Sequence, residues 1–319
     1  MSSLIRFYSI PRISVFTLVC GLFLSSLSIA NTQIHYEKAL SAFNQSHFDE
    51  SMIHLKNALK SSPENLPSKI LMGKLLTQLG RTELAKVEFE EAIIQGADVS
   101  SFASHWAVIL FRQNAFEKII QFNQFENFSK VQQADWLRIK SSACLKIKNY
   151  QCARTSFIAI GELTSDPIEK LNGLAQVELA EKNYKDANLT LDKAIKINPE
   201  QAKSWQLKGL VAKAQKDIPS AIDYMQRAFD LSPDDPLILR HLADVYLASN
   251  RKEKAQQTIN SILVASPDDP FAILVNSWLQ QDTELEAAAE AKFKQMAARI
   301  ANLPNEYVEK EESLLFLRA

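Results

Sequence analysis

The sequence predicts an all-α protein, built as an α-solenoid of about eight helical hairpins. Three features of the 319-residue chain predict this class: a regular internal repeat, columns of small residues within that repeat, and a glycine count of only 7. Few glycines disfavour the tight turns of β-sheet proteins, and a repeat that returns every few tens of residues is typical of stacked helical units. With 46% hydrophobic residues, the chain can bury a core and is not expected to be disordered.

The first thirty residues are predicted to be a signal peptide, outside the fold. Arg6 and Arg12 precede an uncharged, mostly apolar stretch over residues 13–30, which ends in the small-residue sequence SIA. A basic start, an apolar centre and small residues before the cleavage point are the marks of a secretory signal. We therefore expect cleavage after Ala30 and an extracytoplasmic protein, with the bacterial periplasm as its compartment. The alternative is an uncleaved segment that anchors the chain in the inner membrane, because the stretch approaches spanning length.

A 34-residue repeat organises the rest of the chain. The pentapeptide SPDDP occurs at 232–236 and again at 266–270, which sets the repeat length. When the chain is divided from Thr32 into segments of this length, eight of them keep register to residue 303 without an insertion. One such unit cannot bury its apolar face alone, so neighbouring units must stack. Residues 32–303 are therefore predicted to form the solenoid.

Within each repeat, four positions describe a pair of helices. Position 8 is small in all eight repeats, position 20 is small in all but one, and position 24 is large and apolar in all but one. Positions 20, 24 and 27 lie on one face of a helix, and position 8 belongs to the helix before it. Small residues allow the two helices to cross closely. The turn between them carries residues that tolerate a left-handed backbone or cap a helix: Gly80, Asn114, Asn149, Asn183, Asp217 and Asn250.

The third repeat departs from this pattern in its second helix. Ile119, Asn123 and Glu126 occupy its positions 20, 24 and 27, where the other repeats have small or large apolar residues. A polar residue and a charged residue at core positions cannot fill the space around the helix crossing. We therefore expect this half-repeat to pack irregularly.

These positions resemble the tetratricopeptide repeat (TPR) family. The matching residues are Met72, Gly73, Ala85, Phe89 and Ala92 in the second repeat, Trp205, Gly209, Ala221, Ala228 and Pro233 in the sixth, and Leu239, Leu242, Ala243, Tyr246, Ala255 and Pro267 in the seventh. The resemblance implies a right-handed superhelix that binds a protein or peptide in its concave groove, as a non-catalytic scaffold or adaptor. After Pro304, residues 304–319 combine apolar positions with a polar face, which predicts a C-terminal capping helix.

A narrower resemblance concerns residues 36–98. This stretch, with its "LKNAL…P" and "GKLL" segments, is similar to the start of TPR proteins of bacterial PEP-CTERM/exosortase sorting systems. It implies an alternative function as an accessory subunit of an envelope export or sorting system, of the exopolysaccharide or exosortase type. Both functions require a protein or peptide partner, and they differ in which partner it is.

The chain lacks the sequence signals of common catalytic and cofactor sites. It has no G-x-G pair, no P-loop, no G-x-S-x-G and no H-E-x-x-H motif. Its formal net charge of −1 gives no reason to expect nucleic acid as a partner, because nucleic-acid binding requires a clustered basic surface. We therefore predict no enzyme activity, no cofactor, no metal site and no nucleic-acid partner, and membrane contact only through an uncleaved signal. The five histidines (35, 47, 54, 105 and 241) are interpreted as surface residues, and the repeated Asp pairs (234–235 and 268–269) as helix caps or loop residues.

Two cysteines remain after the predicted cleavage, Cys144 and Cys152. They lie on opposite sides of the helix–helix turn of the fourth repeat. In an oxidising compartment, two thiols placed across one hairpin turn in this way are disulfide candidates. The alternative is two small core residues, one on each helix.

The family resemblance implies which residues face the groove. Positions 2, 5, 9 and 12 of each first helix, with position 13 added, give a mildly basic surface with scattered aromatic residues, suited to an extended acidic or mixed peptide. The alternative is a chance charge imbalance. The candidate groove residues are Tyr36, Phe43, Lys74, Phe111, Arg112, Arg138, Lys146, Lys203, Gln206, Lys213, Arg240 and Asp244.

Overall fold

The computed structural model describes residues 30–267 and 269–280. Throughout these residues every regular element is a helix, and the helices follow one another as repeated hairpins, so the predicted all-α hairpin array is confirmed. The predicted signal segment up to residue 29, the second helix of the eighth repeat and the predicted capping helix at 304–319 lie outside the described residues. The described residues fall into two compact units, which divide between Leu110 and Phe111.

The first unit contains two complete hairpins and most of a fifth helix. Its helices are α1 (residues 30–44), α2 (Phe48–Ser61), α3 (Leu66–Gln78), α4 (Thr82–Ile94) and α5 (Ala103–Arg112), with a short 3₁₀ turn at Val99–Ser101. The last two residues of α5 belong to the second unit. Asn65 starts α3 by accepting a hydrogen bond from the Ser68 amide, so a side chain replaces the missing helical partner.

The second unit continues the hairpins from α6 onward. Its helices are α6 (Phe116–Gln121), α7 (Lys130–Lys146), α8 (Tyr150–Thr164), α9 (Pro167–Ala180), α10 (Tyr184–Ile197), α11 (Ala202–Ala214), α12 (Ile218–Leu231), α13 (Pro236–Ala248), α14 (Lys252–Ala265) and α15 (Pro270–Gln280). Asp235 and Asp269 cap α13 and α15 through their carboxylates, as the repeated Asp pairs predict. Of the described helices, none is both long and apolar enough to span a membrane.

The small residues lie where the helices cross. Every described residue at position 20 is fully buried, and position 8 is buried in each complete hairpin. A Cβ atom placed on Gly73 would lie 2.5 Å from the ring of Phe89, the residue at position 24 of the same repeat. In the first repeat, Ser51 donates a 2.9 Å hydrogen bond to the carbonyl of Ala39, so positions 20 and 8 touch directly. Small residues are therefore required because the two backbones approach closely.

In each of the first seven repeats, the turn between the two helices contains one left-handed residue. These residues recur at the same position of successive repeats: Ser46, Gly80, Asn114, Lys148, Lys182, Lys216 and Asn250. In repeats four to six this residue is a lysine, one position before the predicted Asn149, Asn183 and Asp217. Asn149 and Asp217 instead cap the second helix, accepting hydrogen bonds from the Cys152 and Ser220 amides. The sequence predicted turn residues that either adopt a left-handed backbone or cap a helix, and Asn149 and Asp217 take the second role.

The third repeat is irregular, as its sequence predicts. Its second helix, α6, has only six residues, and Asn123 and Glu126 are exposed in the loop that follows. The loop places Phe122 against the fully buried Trp136, with ring centroids 4.2 Å apart. The Trp136 indole N–H donates to the Ile119 carbonyl in the short helix. Aromatic side chains therefore replace the missing turns of helix as core filling.

Candidate functional site

The first helices of repeats four, five and six line an open cavity of about 360 Å³ in the second unit. We call it the second-unit cavity. Most of its polar wall comes from repeat positions 2, 5, 8 and 9, which lie on α7, α9 and α11. Phe157 and Gly173 form an apolar floor. Its lining residues are Arg138, Ser141, Ser142, Phe157, Asp166, Glu169, Asn172, Gly173, Gln176, Gln201 and Lys203. Two predicted groove residues, Arg138 and Lys203, thus come together in one concave site.

Arg138 is paired with acids of its own chain. Its guanidinium makes a two-point contact with Glu169 on α9, with Nε–Oε1 and Nη2–Oε2 distances of 2.5 and 3.0 Å. A second carboxylate, Asp135, contacts Nη1 from one helical turn away. The Glu169 hydrogen bond raises the pKa of Arg138 above its ordinary value. The fork of donors that suits an external carboxylate is therefore already engaged.

The same arrangement recurs along the second unit. Lys213 pairs with Asp244 of the following repeat, and Arg240 pairs with Asp269, the residue that caps the first helix of the following repeat. In two of these pairs, Arg138–Glu169 and Lys213–Asp244, the partners are 31 residues apart in sequence. Each of these two pairs therefore connects a groove position of one repeat with a groove position of the next. We call these three pairs the inter-repeat ion pairs. They neutralise three of the cations that made the predicted groove basic.

Lys203 has different surroundings. Its ammonium donates to Gln206 Oε1 at 2.9 Å, and Gln206 Nε2 lies 3.2 Å from Nδ1 of His241. Because an ammonium group only donates, the Gln206 oxygen must face Lys203, and its NH₂ group must face an accepting Nδ1 on His241. His241 is therefore neutral, with its proton on Nε2. Burial, followed by the charge of Lys203, lowers the pKa of His241, and burial lowers that of Lys203.

The first unit holds the predicted groove residues Tyr36, Phe43 and Lys74. Tyr36 and Phe43 are half-buried, and the Phe43 ring lies 6.0 Å from that of Phe48. Burial lowers the pKa of Lys74, and burial together with Lys74 lowers the pKa of His105 to about 4. Lys69, which no groove prediction included, pairs with Glu91 between α3 and α4.

The remaining predicted groove residues lie apart from the second-unit cavity. Phe111 packs edge-on against Phe116, with ring centroids 5.4 Å apart. Arg112 and Lys146 are exposed near the ends of α5 and α7. The sequence prediction missed the cavity residues Asn172, Gln176 and Gln201. Asn172 and Gln176 occupy positions 5 and 9, so the same register could have identified both.

The two cysteines are joined in the structure. Cys144 and Cys152 form a disulfide across the α7–α8 turn, with Cα atoms 5.8 Å apart. This separation is within the range that a disulfide spans without backbone movement. The bridge closes one hairpin and lies outside the second-unit cavity.

His47 is exposed, as its interpretation as a surface residue requires, whereas the other four histidines are less exposed. His105 and His241 are half-buried, and His35 Nδ1 lies 3.1 Å from Nδ1 of His54. Core packing places them inward because an imidazole ring can bury its carbon atoms while one nitrogen keeps a polar partner. Across the described residues, no group of three or more His, Cys, Asp or Glu side chains could hold a metal ion.

Comparisons with known proteins agree with this architecture. Residues 212–273 match the sequence model of the tetratricopeptide repeat. No curated protein sequence matches the chain. Among solved structures, yeast Tom70 is 17% identical, with 85% of this chain aligned to 59% of Tom70 at a TM-score of 0.59. This chain thus spans less than two thirds of Tom70.

Two further solved structures are similar over much of the chain. A tetratricopeptide repeat protein from Parabacteroides merdae is 14% identical, covering 91% of this chain and all of its own, at a TM-score of 0.46. YrrB, described as a TPR protein with an unusual peptide-binding site, is 13% identical, covering 70% of this chain and 97% of its own, at a TM-score of 0.36. One fold accounts for the hairpin register, the close helix crossings, the sequence match and the likeness to Tom70. The chain has the tetratricopeptide repeat fold, and its residues 212–273 carry the sequence pattern of that family.

Proposed function

We propose that this protein is a non-catalytic scaffold that binds a segment of a partner protein in the second-unit cavity. The observation that carries the proposal is the cavity itself, an open concavity of about 360 Å³ on the first helices of three successive repeats. Its polar wall presents side-chain amides from Asn172, Gln176 and Gln201. Such groups donate to and accept from a peptide backbone without requiring one sequence.

The electrostatics of the site favour binding over catalysis. The Asp166 carboxylate caps α9 by accepting from the Ile168 and Glu169 amides, and the Glu169 carboxylate is held by Arg138. Neither group is placed as a free general acid or base, and no cysteine or histidine is among the described residues that line the cavity. The available groups are suited to hold a chain segment rather than to transform it.

We further propose that the protein acts outside the cytoplasm, with residues 1–30 removed as a signal peptide. The support is the signal pattern of the sequence and the pairing of Cys144 with Cys152, because a stable disulfide is typical of an oxidising compartment. Mass spectrometry of the protein from the periplasmic fraction tests this proposal. A mature chain that begins at Asn31 is expected, and a full-length chain in the membrane fraction would support the anchored alternative.

Peptide display against the purified protein tests the binding function. Peptides selected on the wild type are then measured against Gln176→Trp, which fills the cavity from α9, and against Lys193→Trp, which adds the same bulk to the exposed side of α10. We expect an affinity loss of at least about tenfold in the first variant only. If no peptide is selected, or if both variants bind selected peptides like the wild type, the proposed function is wrong.

A further inference from the structure

The charged groups of the second-unit cavity differ in whether the chain itself compensates them. Arg138 is engaged by two carboxylates, Glu169 is engaged by Arg138, and Asp166 accepts two backbone N–H groups. A charge that has its hydrogen-bonding partners in place gains little from an external group. These three charges therefore do not define what the cavity binds.

Lys203 is the exception among the described charges of the cavity. Its contact is a neutral amide oxygen, that of Gln206, and no described carboxylate lies within ion-pair distance. The side chain is half-buried, and the lost hydration lowers its pKa although Asp235 acts in the opposite direction. An ammonium that has lost water and gained only one neutral acceptor can still bind an anion through its remaining N–H groups.

The neighbours of Lys203 favour the same kind of ligand. Gln201 makes no capping hydrogen bond to α11, although it stands at the position before the helix. Asn172 accepts from the Ser204 hydroxyl through Oδ1, which leaves its NH₂ group to donate. Amide N–H groups beside an ammonium provide several donors for the two oxygens of a carboxylate.

We infer that the second-unit cavity takes one acidic side chain of its partner, at Lys203, and that Glu169 closes a second anion position by occupying Arg138. The inference rests on the proposed function and adds a chemical specificity to it. The other inter-repeat ion pairs act in the same sense, since Asp244 and Asp269 occupy Lys213 and Arg240. The groove therefore recognises a single carboxylate rather than a run of acidic residues.

A small probe tests the anion position independently of any partner. N-acetyl-glutamate N-methylamide is titrated into the full-length protein, and the ¹³Cε signal of Lys203 is followed by NMR. The uncharged glutamine counterpart is the matched probe. We expect a saturable shift with the glutamate compound and binding at least about tenfold weaker with the glutamine compound. Equal shifts from both compounds would overturn the inference.

Three variants test which residues are responsible for glutamate binding. Lys203→Met should reduce glutamate binding to the level of the glutamine compound, while Lys213→Met, which removes an already paired lysine, should leave it unchanged. Glu169→Gln should open Arg138, so that a second glutamate molecule binds and shifts the Arg138 Nε signal. Melting curves verify that each variant is folded. If Lys203→Met keeps wild-type binding, or Glu169→Gln gains no second site, the inference is wrong.

The outcome for the inference is separable from that for the proposed function. Display-selected peptides that depend on the cavity but tolerate replacement of every Asp and Glu by Asn and Gln would retain the function and overturn the acidic subsite. If selection returns no cavity-dependent peptide, the function fails, and the glutamate probe alone then decides whether Lys203 binds anions.

Discussion

Gly173 on α9 packs directly against the ring of Phe157 on α8. A Cβ atom on Gly173 would lie well inside the van der Waals distance of three ring atoms, whereas a Cβ atom on Gly209 would meet the flexible Met225 side chain at 2.9 Å. Both glycines lie in helices, where glycine is unfavourable by about 0.5–1 kcal/mol relative to alanine. At Gly173, the close contact with the Phe157 ring leaves no room for a Cβ atom, and this packing requirement outweighs the low helix propensity of glycine.

The two glycines therefore predict different responses to the same substitution. Gly173→Ala should lower the free energy of unfolding by about 1–3 kcal/mol, because the rigid Phe157 ring can move only by disturbing the core around it. Gly209→Ala should destabilise less, because its contact is longer, because the unbranched Met225 side chain adapts more easily than a ring, and because the helix gains from alanine. Urea denaturation of both variants measures the difference. Equal destabilisation would contradict the distinction between the two neighbours.

The left-handed lysines predict a stabilising change. Lys182 is exposed, with φ of 61°, a backbone region that costs a residue with a Cβ about 1–2 kcal/mol. Lys182→Gly should remove this cost and raise the free energy of unfolding by about 0.5–1 kcal/mol. The gain is smaller than the cost removed because glycine also gives the unfolded chain more conformational freedom. Lys193→Gly, in the middle of α10, is the control and should destabilise by about 1 kcal/mol. A loss of stability in Lys182→Gly would contradict the strained turn.

The disulfide predicts a redox-dependent stability. Closing the short loop between Cys144 and Cys152 should contribute about 2–3 kcal/mol to the folded state. Adding dithiothreitol should therefore lower the melting temperature of the wild type, and it should leave that of a Cys144→Ala, Cys152→Ala double variant unchanged. Thiol counting under denaturing conditions gives the number of free thiols in the same sample. An identical response in both proteins would show that the bridge does not form in solution.

The hairpin array could be predicted from the sequence because the repeat pattern of residue types follows the geometry of the helical backbone. The regular repeat interval, the small residues such as Ala221, and the irregular third repeat around Asn123 all report helix geometry, which local sequence determines. Each is therefore visible without knowing which side chains meet.

The electrostatics of the groove could not be predicted in the same way. The register identifies Arg138 and Lys213 as groove cations, but their partners lie on another helix in the next repeat, and rotamers decide whether each pair forms. Opposite charges at the shared separation of 31 are the one sequence signal for these two pairs. The contact of Lys203 with the neutral Gln206, in place of a carboxylate, is likewise visible only in the structure.

His105 predicts how the stability of the first unit depends on pH. Burial, with the nearby charge of Lys74, lowers the pKa of His105 from 6.5 to about 4, so the unfolded chain takes up its proton at a higher pH than the folded chain. Between these two pKa values the unfolded state binds more protons, and stability therefore rises with pH. The contribution of His105 should be complete above pH 6.5, fall below it, and be lost near pH 4.

Lowering the pH from 7 to 5 should thus cost about 1 kcal/mol through this residue, after allowance for its partial exposure. His105→Gln, which keeps a polar side chain without a proton to gain, should show a smaller loss over the same range. His47→Gln, at an exposed position before α2, is the control and should behave like the wild type. Urea titrations at both pH values, with an NMR titration of the His105 ring, measure the effect. A His105 that titrates near its ordinary pKa of 6.5, or a variant as pH-sensitive as the wild type, would contradict the prediction.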